Sequence, residues 1–212
     1  MANLLVSTHP IVGDLVRQLR DERTSNADFL RLAGDITRFV AYEAFADLPV
    51  SATTVDTPVL KGAPAVTIDR EYVVVPILRA GLGMSPAVQA LLPRNRLCVM
   101  GLRRNEETLQ PDVYLDGLPD DLSGTSVVIT DPMLATGGSL LKVIEIIKER
   151  GATDITAVVL IAARPGVDAV HATHPDVRVA AAALDPVLND VGYIVPGLGD
   201  AGDRLFGLPV RR

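Results

Sequence analysis

The sequence predicts an α/β protein in which a central parallel sheet is flanked by helices. Two observations carry this. Five short apolar runs, Tyr72-Val73-Val74-Val75-Pro76-Ile77, Leu97 to Met100, Ser126-Val127-Val128-Ile129-Thr130, Ala157 to Ala162 and Val177 to Ala183, are continuous rather than alternating. A strand that is apolar at nearly every position is buried on both faces, as parallel strands between helix layers are. Segments with helical spacing separate these runs, at Met84 to Leu92, Gly138 to Glu149 and Val167 to Ala172, so strand and helix alternate along the chain.

The elements follow in order. Ile11 to Glu22 reads as a first helix and Asp28 to Leu48 as a second, with Phe29, Leu32, Ala33, Ile36, Phe39 and Val40 at helical spacing behind Ser25, a candidate cap. From Val55 the pattern changes to short extended pieces punctuated by Pro58, Gly62 and Pro64, and then to the apolar strands. The polar, Pro- and Gly-rich stretch from Arg103 to Gly124 is expected to form a long mobile loop or hairpin, a kind of segment that often serves function. No internal repeat, low-complexity tract or linker divides the chain, and at 212 residues a single domain spanning 1–212 is expected.

Composition excludes several classes. With 48% hydrophobic residues and only 4% aromatic, the chain is neither disordered nor fibrous. Against 26 Asp and Glu stand 20 Lys and Arg, a formal charge of −6, and no basic run is present. A nucleic-acid binder neutralises phosphates, so no nucleic-acid partner is expected. A local basic pocket for a small anion remains open. Only Lys61, Lys142 and Lys148 are lysines, and arginine suits bidentate phosphate contacts better. Cys98 is the only cysteine, so no intrachain disulfide can form, and its apolar setting reads as a buried thiol. The first residues lack a basic, apolar leader, and no apolar stretch reaches the roughly 18 residues of a membrane span. A reduced, soluble, cytoplasmic protein without a membrane partner is expected.

The segment Val127-Val128-Ile129-Thr130-Asp131-Pro132-Met133-Leu134-Ala135-Thr136-Gly137-Gly138-Ser139 carries the most chemistry. It reads as strand, loop and helix start. Thr136, Gly137, Gly138 and Ser139 would present backbone N–H groups and two hydroxyls at a helix N-terminus, where unpaired donors and the macrodipole favour an anion. Asp131 is a poor phosphate ligand but a good acceptor for ribose hydroxyls. Together they point to a sugar phosphate, with a capped Gly-rich turn as the bland alternative. Gly137-Gly138-Ser139 lacks the Gly-Lys-Ser/Thr ending of an ATP-binding loop. Gly197-Leu198-Gly199-Asp200-Ala201-Gly202 has the spacing of a dinucleotide fingerprint, but only ten residues follow it, too few for that fold.

The Asp131 segment resembles the ribose-phosphate loop of type I phosphoribosyltransferases, and the chain as a whole resembles the uracil phosphoribosyltransferase family. The resemblance is carried by Thr8-His9-Pro10, Tyr42-Glu43-Ala44, Val75 to Met84, Arg104-Asn105-Glu106-Glu107-Thr108, the Asp131 loop, Leu188-Asn189 and Gly192 to Arg204. Many phosphoribosyltransferases have two adjacent acids in the ribose loop; here Pro132 follows Asp131, as is typical of the uracil subfamily.

The resemblance implies the type I phosphoribosyltransferase fold, with a small hood built from N- and C-terminal segments. It implies transfer of the phosphoribosyl group of 5-phosphoribosyl 1-diphosphate (PRPP) to N1 of uracil, giving UMP and diphosphate. It assigns PRPP to Arg79, Arg104, Asp131, Pro132, Met133, Leu134, Ala135, Thr136, Gly137, Gly138, Ser139 and Asp200, and uracil to Tyr193, Ile194, Gly199, Asp200 and Ala201. Asp131, Arg79 and Asp200 would carry catalysis, with an ion pair as the alternative for Arg79 and a self-bonded turn as that for Asp200. It implies Mg2+ held by the diphosphate and water near Asp200, with no direct protein ligand set. A homodimer or higher oligomer is implied too, and GTP activates some relatives, though no residue here can be assigned to it. None of the three histidines is assigned to catalysis. The rival readings are a pyrimidine-responsive regulator on the same fold, a purine-specific transferase and an inactive scaffold.

Overall fold

The computed structural model describes residues 3–104 and 111–208. Strand β1 (Leu4–Val6) leads into helix α1 (Pro10–Arg20), which opens on Pro10, where a missing N–H costs nothing. Helix α2 (Asn26–Ala44) starts at Ser25, whose Oγ accepts from the Asp28 N–H at 3.1 Å. It buries Phe29, Leu32, Ala33, Ile36 and Val40 as their spacing requires. Phe39, at the edge of that stripe, is 39% exposed instead. Strands β2 (Ser51–Val55) and β3 (Ala63–Thr67) pair antiparallel as an arm exposed along most of its length.

Strand β4 (Tyr72–Leu78) is followed by Arg79, a 3-10 turn over Ala80–Gly83 and helix α3 (Ser85–Gln89). The apolar run Leu97 to Met100 is not one strand. It divides between β5 (Asn95–Leu97) and β6 (Met100–Arg104), both parallel to β4. The Cys98 N–H still bonds to the Val74 carbonyl at 3.0 Å, while the Val99 carbonyl accepts from Gly117 at 3.0 Å. Strand β7 (Pro111–Asp116) pairs antiparallel with β6. Asn105, Glu106, Glu107 and Thr108 lie outside the described residues.

The second half repeats strand and helix: β8 (Ser126–Thr130), the short β9 (Met133–Leu134), α4 (Gly138–Glu149), β10 (Asp154–Ala163), α5 (Arg164–Thr173) and β11 (Arg178–Asp185). A small antiparallel pair, β12 (Val187–Leu188) with β13 (Ile194–Val195), and helix α6 (Ala201–Phe206) close the described chain.

The main sheet has the order β1-β11-β10-β8-β4-β6-β7 and is parallel except at β7. It separates two cores, because successive side chains of a strand face opposite sides. Tyr72 and Val74 join α1, α2 and α3 residues in one; Val73, Val75 and Ile77 join α4 and α5 residues in the other. From the central β4 the chain moves outward through β6, then returns to β8 on β4's other side. That reversal opens a crevice at the carboxyl ends of β4 and β8, where open α/β sheets bind ligands.

Candidate active site

Two loops leave the sheet side by side. Arg79 follows β4 and Asp131 follows β8. They are locked together at Gly81, where an added Cβ would lie 2.2 Å from the Thr130 carbonyl oxygen, and where Thr130 Oγ1 donates to the Gly81 carbonyl at 3.1 Å. No side chain larger than hydrogen fits there without moving the backbone. A similar approach at Gly166, whose Cβ would meet the Ala135 carbonyl at 2.3 Å, seats the Asp131 loop on α5.

The cavity over these loops measures about 430 Å³ and brings together Arg79, Asp131, Pro132, Met133, Ala135, Tyr193, Ile194, Gly199, Asp200 and Ala201. Ten residues that the resemblance singled out, from three distant segments, therefore share one wall. A second cavity of about 630 Å³ adjoins it through Ala135, Val191 and Gly192, and is lined by Thr136, Gly138 and Ser139. Helix α4 begins there at Gly138, behind the N-cap Gly137, which has φ +89° and no side chain to cap with. Its first N–H groups are thus left for an anion.

Leu134 and Gly137 line neither cavity. Leu134 is 2% exposed, paired to Ala162 of β10 and packed in the core, because in a short strand alternate side chains turn inward. Gly137 packs near the Gly166 carbonyl and makes the turn. Arg104 ends β6, and its side chain lies outside what is described. Ala80, Val191, Gly192 and Gly202 line the cavity without having been singled out as site residues. Gly192 and Gly202 belong to the matched C-terminal segment, so a signal for them existed; for the exposed Val191 none did.

Asp131 is half-buried, and among the described residues the one hydrogen bond to its carboxyl is a long one from the Met133 N–H, at 3.5 Å. Burial without an offsetting cation pushes its carboxyl up to about 7. Arg79 is exposed and makes no ion pair among the described residues; its guanidinium lies 5.8 Å from the Phe206 ring centroid. Asp200 accepts from the Asp203 N–H through Oδ1 at 2.9 Å, which caps α6, and still lines the cavity. Among the described residues no cluster of three His, Cys, Asp or Glu could cage a metal. A magnesium ion rarely needs one, since one or two carboxylates plus substrate phosphates suffice, and Asp200 and Asp131 offer these. His9 caps α1, while His171 and His174 sit at the end of α5, away from both cavities. No helix of the described residues is long and apolar enough to cross a membrane.

A family model described as uracil phosphoribosyltransferase matches residues 6–208. A uracil phosphoribosyltransferase of Corynebacterium efficiens is 46% identical over 205 residues, covering 97% of each chain. One of Lacticaseibacillus paracasei is 45% identical over 207 residues, 98% of this chain and 99% of that protein. Among solved structures, the AQ2163 protein of Aquifex aeolicus superimposes with a TM-score of 0.90 at 35% identity, covering 98% of this chain and 100% of the other. A hypoxanthine phosphoribosyltransferase of Staphylococcus aureus shares the fold at a TM-score of 0.51 and 14% identity, covering 77% of this chain and 76% of the other.

Proposed function

The chain belongs to the uracil phosphoribosyltransferase family, and on that premise we propose that its paired cavities hold PRPP and uracil for the transfer of the phosphoribosyl group to N1 of the base. The enzyme is a pentosyltransferase, and its products are UMP and diphosphate. One observation carries the assignment of the site: Arg79, Asp131 and the Tyr193–Ala201 backbone converge on one cavity, beside the uncapped start of α4.

The 5-phosphate sits on the N–H groups and hydroxyls at Thr136, Gly138 and Ser139. Asp131, once ionised, accepts from the ribose hydroxyls and fixes the ring. Arg79 faces the diphosphate, with Arg104 closing from the end of β6. Mg2+ carried by the diphosphate and water would lie near Asp200, with Asp131 the other carboxylate within the cavity, and would supply neutralisation of the leaving group's charge. Uracil lies against Tyr193 and Ile194, and its alternating donors and acceptors are read by backbone groups of Gly199 to Ala201.

In the reaction the bond from ribose C1 to the diphosphate oxygen breaks, with its electron pair leaving on the diphosphate. The N1 lone pair of uracil forms the new bond, and the N1 proton passes to solvent. Positive charge develops on the ribose in between. The protein supplies alignment and electrostatic stabilisation, and no covalent enzyme intermediate is needed. Excluding water from the cavity protects the ribosyl centre from hydrolysis.

The reading extends to a homo-oligomer, supported by the β2–β3 arm, on which Val55, Val59 and Val66 are 51, 96 and 69% exposed. It extends also to a cytoplasmic location, because a polyanionic substrate does not cross a bilayer unaided. The test is UMP formation from uracil, PRPP and Mg2+, with cytosine, hypoxanthine, adenine and orotate as competing bases. Turnover confined to uracil supports the assignment. Turnover of a purine base, or of none by the folded protein, overturns it.

A further inference from the structure

Gly197 links β13 to the loop that reaches the cavity, and both of its main-chain polar groups are bonded from the side away from it. Asp185, the last residue of β11, is 5% exposed. Its Oδ2 accepts from the Gly197 N–H at 2.9 Å. Arg20, the last residue of α1, donates to both oxygens of Asp185 at 2.7 Å, and the same Nη1 donates to the Gly197 carbonyl at 2.7 Å. The four groups close a ring around one peptide residue. Gly197 has φ +57°, and a Cβ there would sit 2.1 Å from the carbonyl oxygen of Ile194, a cavity-lining residue, so the turn from Ile194 to Gly197 has no room for a side chain.

The next residue is held in the same way. The Leu198 carbonyl accepts from Arg204 Nη1 at 2.9 Å, while Arg204 Nη2 donates to the Asp21 carbonyl at 2.6 Å and the guanidinium lies 4.3 Å from the Phe29 ring centroid. Neither Arg20, Asp185 nor Arg204 lines the cavity. All three grip the main chain immediately before Gly199, Asp200 and Ala201, which do.

A buried ion pair is weak as a source of stability, because desolvation offsets most of its Coulomb energy. Its value here lies in direction, since a bidentate arginine fixes orientation as well as distance. We propose that Arg20 and Asp185 are positioning residues for base recognition: through Gly197 they set the backbone of Gly199 to Ala201 that reads uracil. The inference rests on the assignment of that backbone to the base. Ring alignment of this kind matters because displacing reacting groups by even 1 Å can cost about a hundredfold in rate.

The experiment compares Asp185→Asn, Arg20→Lys and Arg20→Gln with the parent enzyme. It measures kcat and KM for uracil at saturating PRPP, the Kd of PRPP without base, and the melting temperature. We expect the KM for uracil to rise about tenfold or more in Asp185→Asn and Arg20→Gln, with the Kd of PRPP within about twofold, and the Lys variant, which keeps the charge, to lie between. Loss of melting temperature with an unchanged uracil KM, or equal losses for both substrates, overturns the proposal. If Asp185→Asn fails to fold, the two Arg20 variants decide it by the same readings. Gly199→Ala separates the premise from the inference. Gly199 has φ +80° and no atom within 4 Å of an added Cβ, so this variant strains the reading loop without touching its supports. An unchanged uracil KM in Gly199→Ala overturns the base assignment itself; a raised KM there, with none in the Arg20 and Asp185 variants, overturns only the positioning role.

Discussion

Replacing Asp131 by asparagine should make the ligand-free protein more stable at alkaline pH while disabling it. The carboxyl rises from 3.8 to about 7 because burial leaves it without a cation to offset the lost hydration. The folded state therefore keeps its proton to higher pH than the unfolded chain does. Stability from this group is full below about pH 4, falls as pH rises towards 7, and is level above it. A shift of roughly 3 units at 1.36 kcal/mol each sets a ceiling of about 4 kcal/mol, and the partial opening of the side chain to the cavity lowers this to about 2 kcal/mol. The asparagine keeps the shape and can still accept from the Met133 N–H, so removing the charge removes the penalty. For a chain of this size about 2 kcal/mol is roughly 4–8 °C in melting temperature. Thermal unfolding of both proteins without ligand, at pH 4 and pH 8, reads the difference directly. The variant should melt higher at pH 8 and within a degree or two of the parent at pH 4, and PRPP should protect it far less than the parent. An equal loss of stability at both pH values would refute the reasoning, since it would mean that the carboxylate is stabilised by its surroundings.

The remaining expectations concern the same cavity. The kcat/KM for PRPP should fall below pH 7 as Asp131 takes up its proton, and that limb should be absent from the residual activity of Asp131→Asn; a parent profile matched by the variant would assign the limb to the substrate's own phosphates. Arg79→Ala should lose turnover with its melting temperature nearly kept, since Arg79 makes no ion pair among the described residues; unfolding would show a structural role instead. Phe206→Leu removes the ring beside that guanidinium, worth about 0.5–1 kcal/mol at an exposed site, so the KM for PRPP should rise roughly two- to fivefold with the uracil KM unchanged. Gly81→Ala forces a methyl to within 2.2 Å of the Thr130 carbonyl, and overpacking of this kind costs about 1–3 kcal/mol; a drop of roughly 2–12 °C in melting is expected, with activity lost in the fraction that folds.

The parts of this protein that were legible in its sequence are those built from neighbours in the chain. Continuous apolar runs marked β4, β8, β10 and β11 because a doubly covered strand needs no polar face. The Ser25 cap and the α2 stripe follow from helix geometry within a few residues. The strand, loop and helix around Asp131 show their chemistry for the same reason. Strand β1 was not legible, because three residues carry no period and it exists only by pairing with β11, from Leu4 against Val179. Nor could the division of Leu97 to Met100 be read, since it depends on Gly117 reaching the Val99 carbonyl. The resemblance to a family named the base loop, but its supports were invisible: Arg20 and Asp185 are 165 positions apart, and nothing in either neighbourhood announces the other.

That contrast has a physical consequence for how the two halves of the site respond to change. The anion half rests on one local unit whose donors are the backbone at the start of a 12-residue helix, so away from its close contacts at Gly81 and Gly166 it depends little on distant side chains. The base half has no such unit. Its reading groups run from Gly199 into Ala201, the first residue of a six-residue helix, and their orientation depends on α1, the α1–α2 turn, α2 and β11 through Arg20, Asp21, Asn26 and Asp185. Damage to the first turn of α2 should thus appear as poorer base selection before it appears as loss of PRPP. Asn26→Ala is the simplest probe, because Asn26 Nδ2 donates to the carbonyls of Arg204 and Leu205 at 2.7 and 2.8 Å and touches no cavity residue among those bonds. Its loss frees two carbonyls at the end of α6 and should raise the uracil KM severalfold, with PRPP affinity held; a change confined to PRPP would show that α6 acts on Arg79 through Phe206 and not on the base loop.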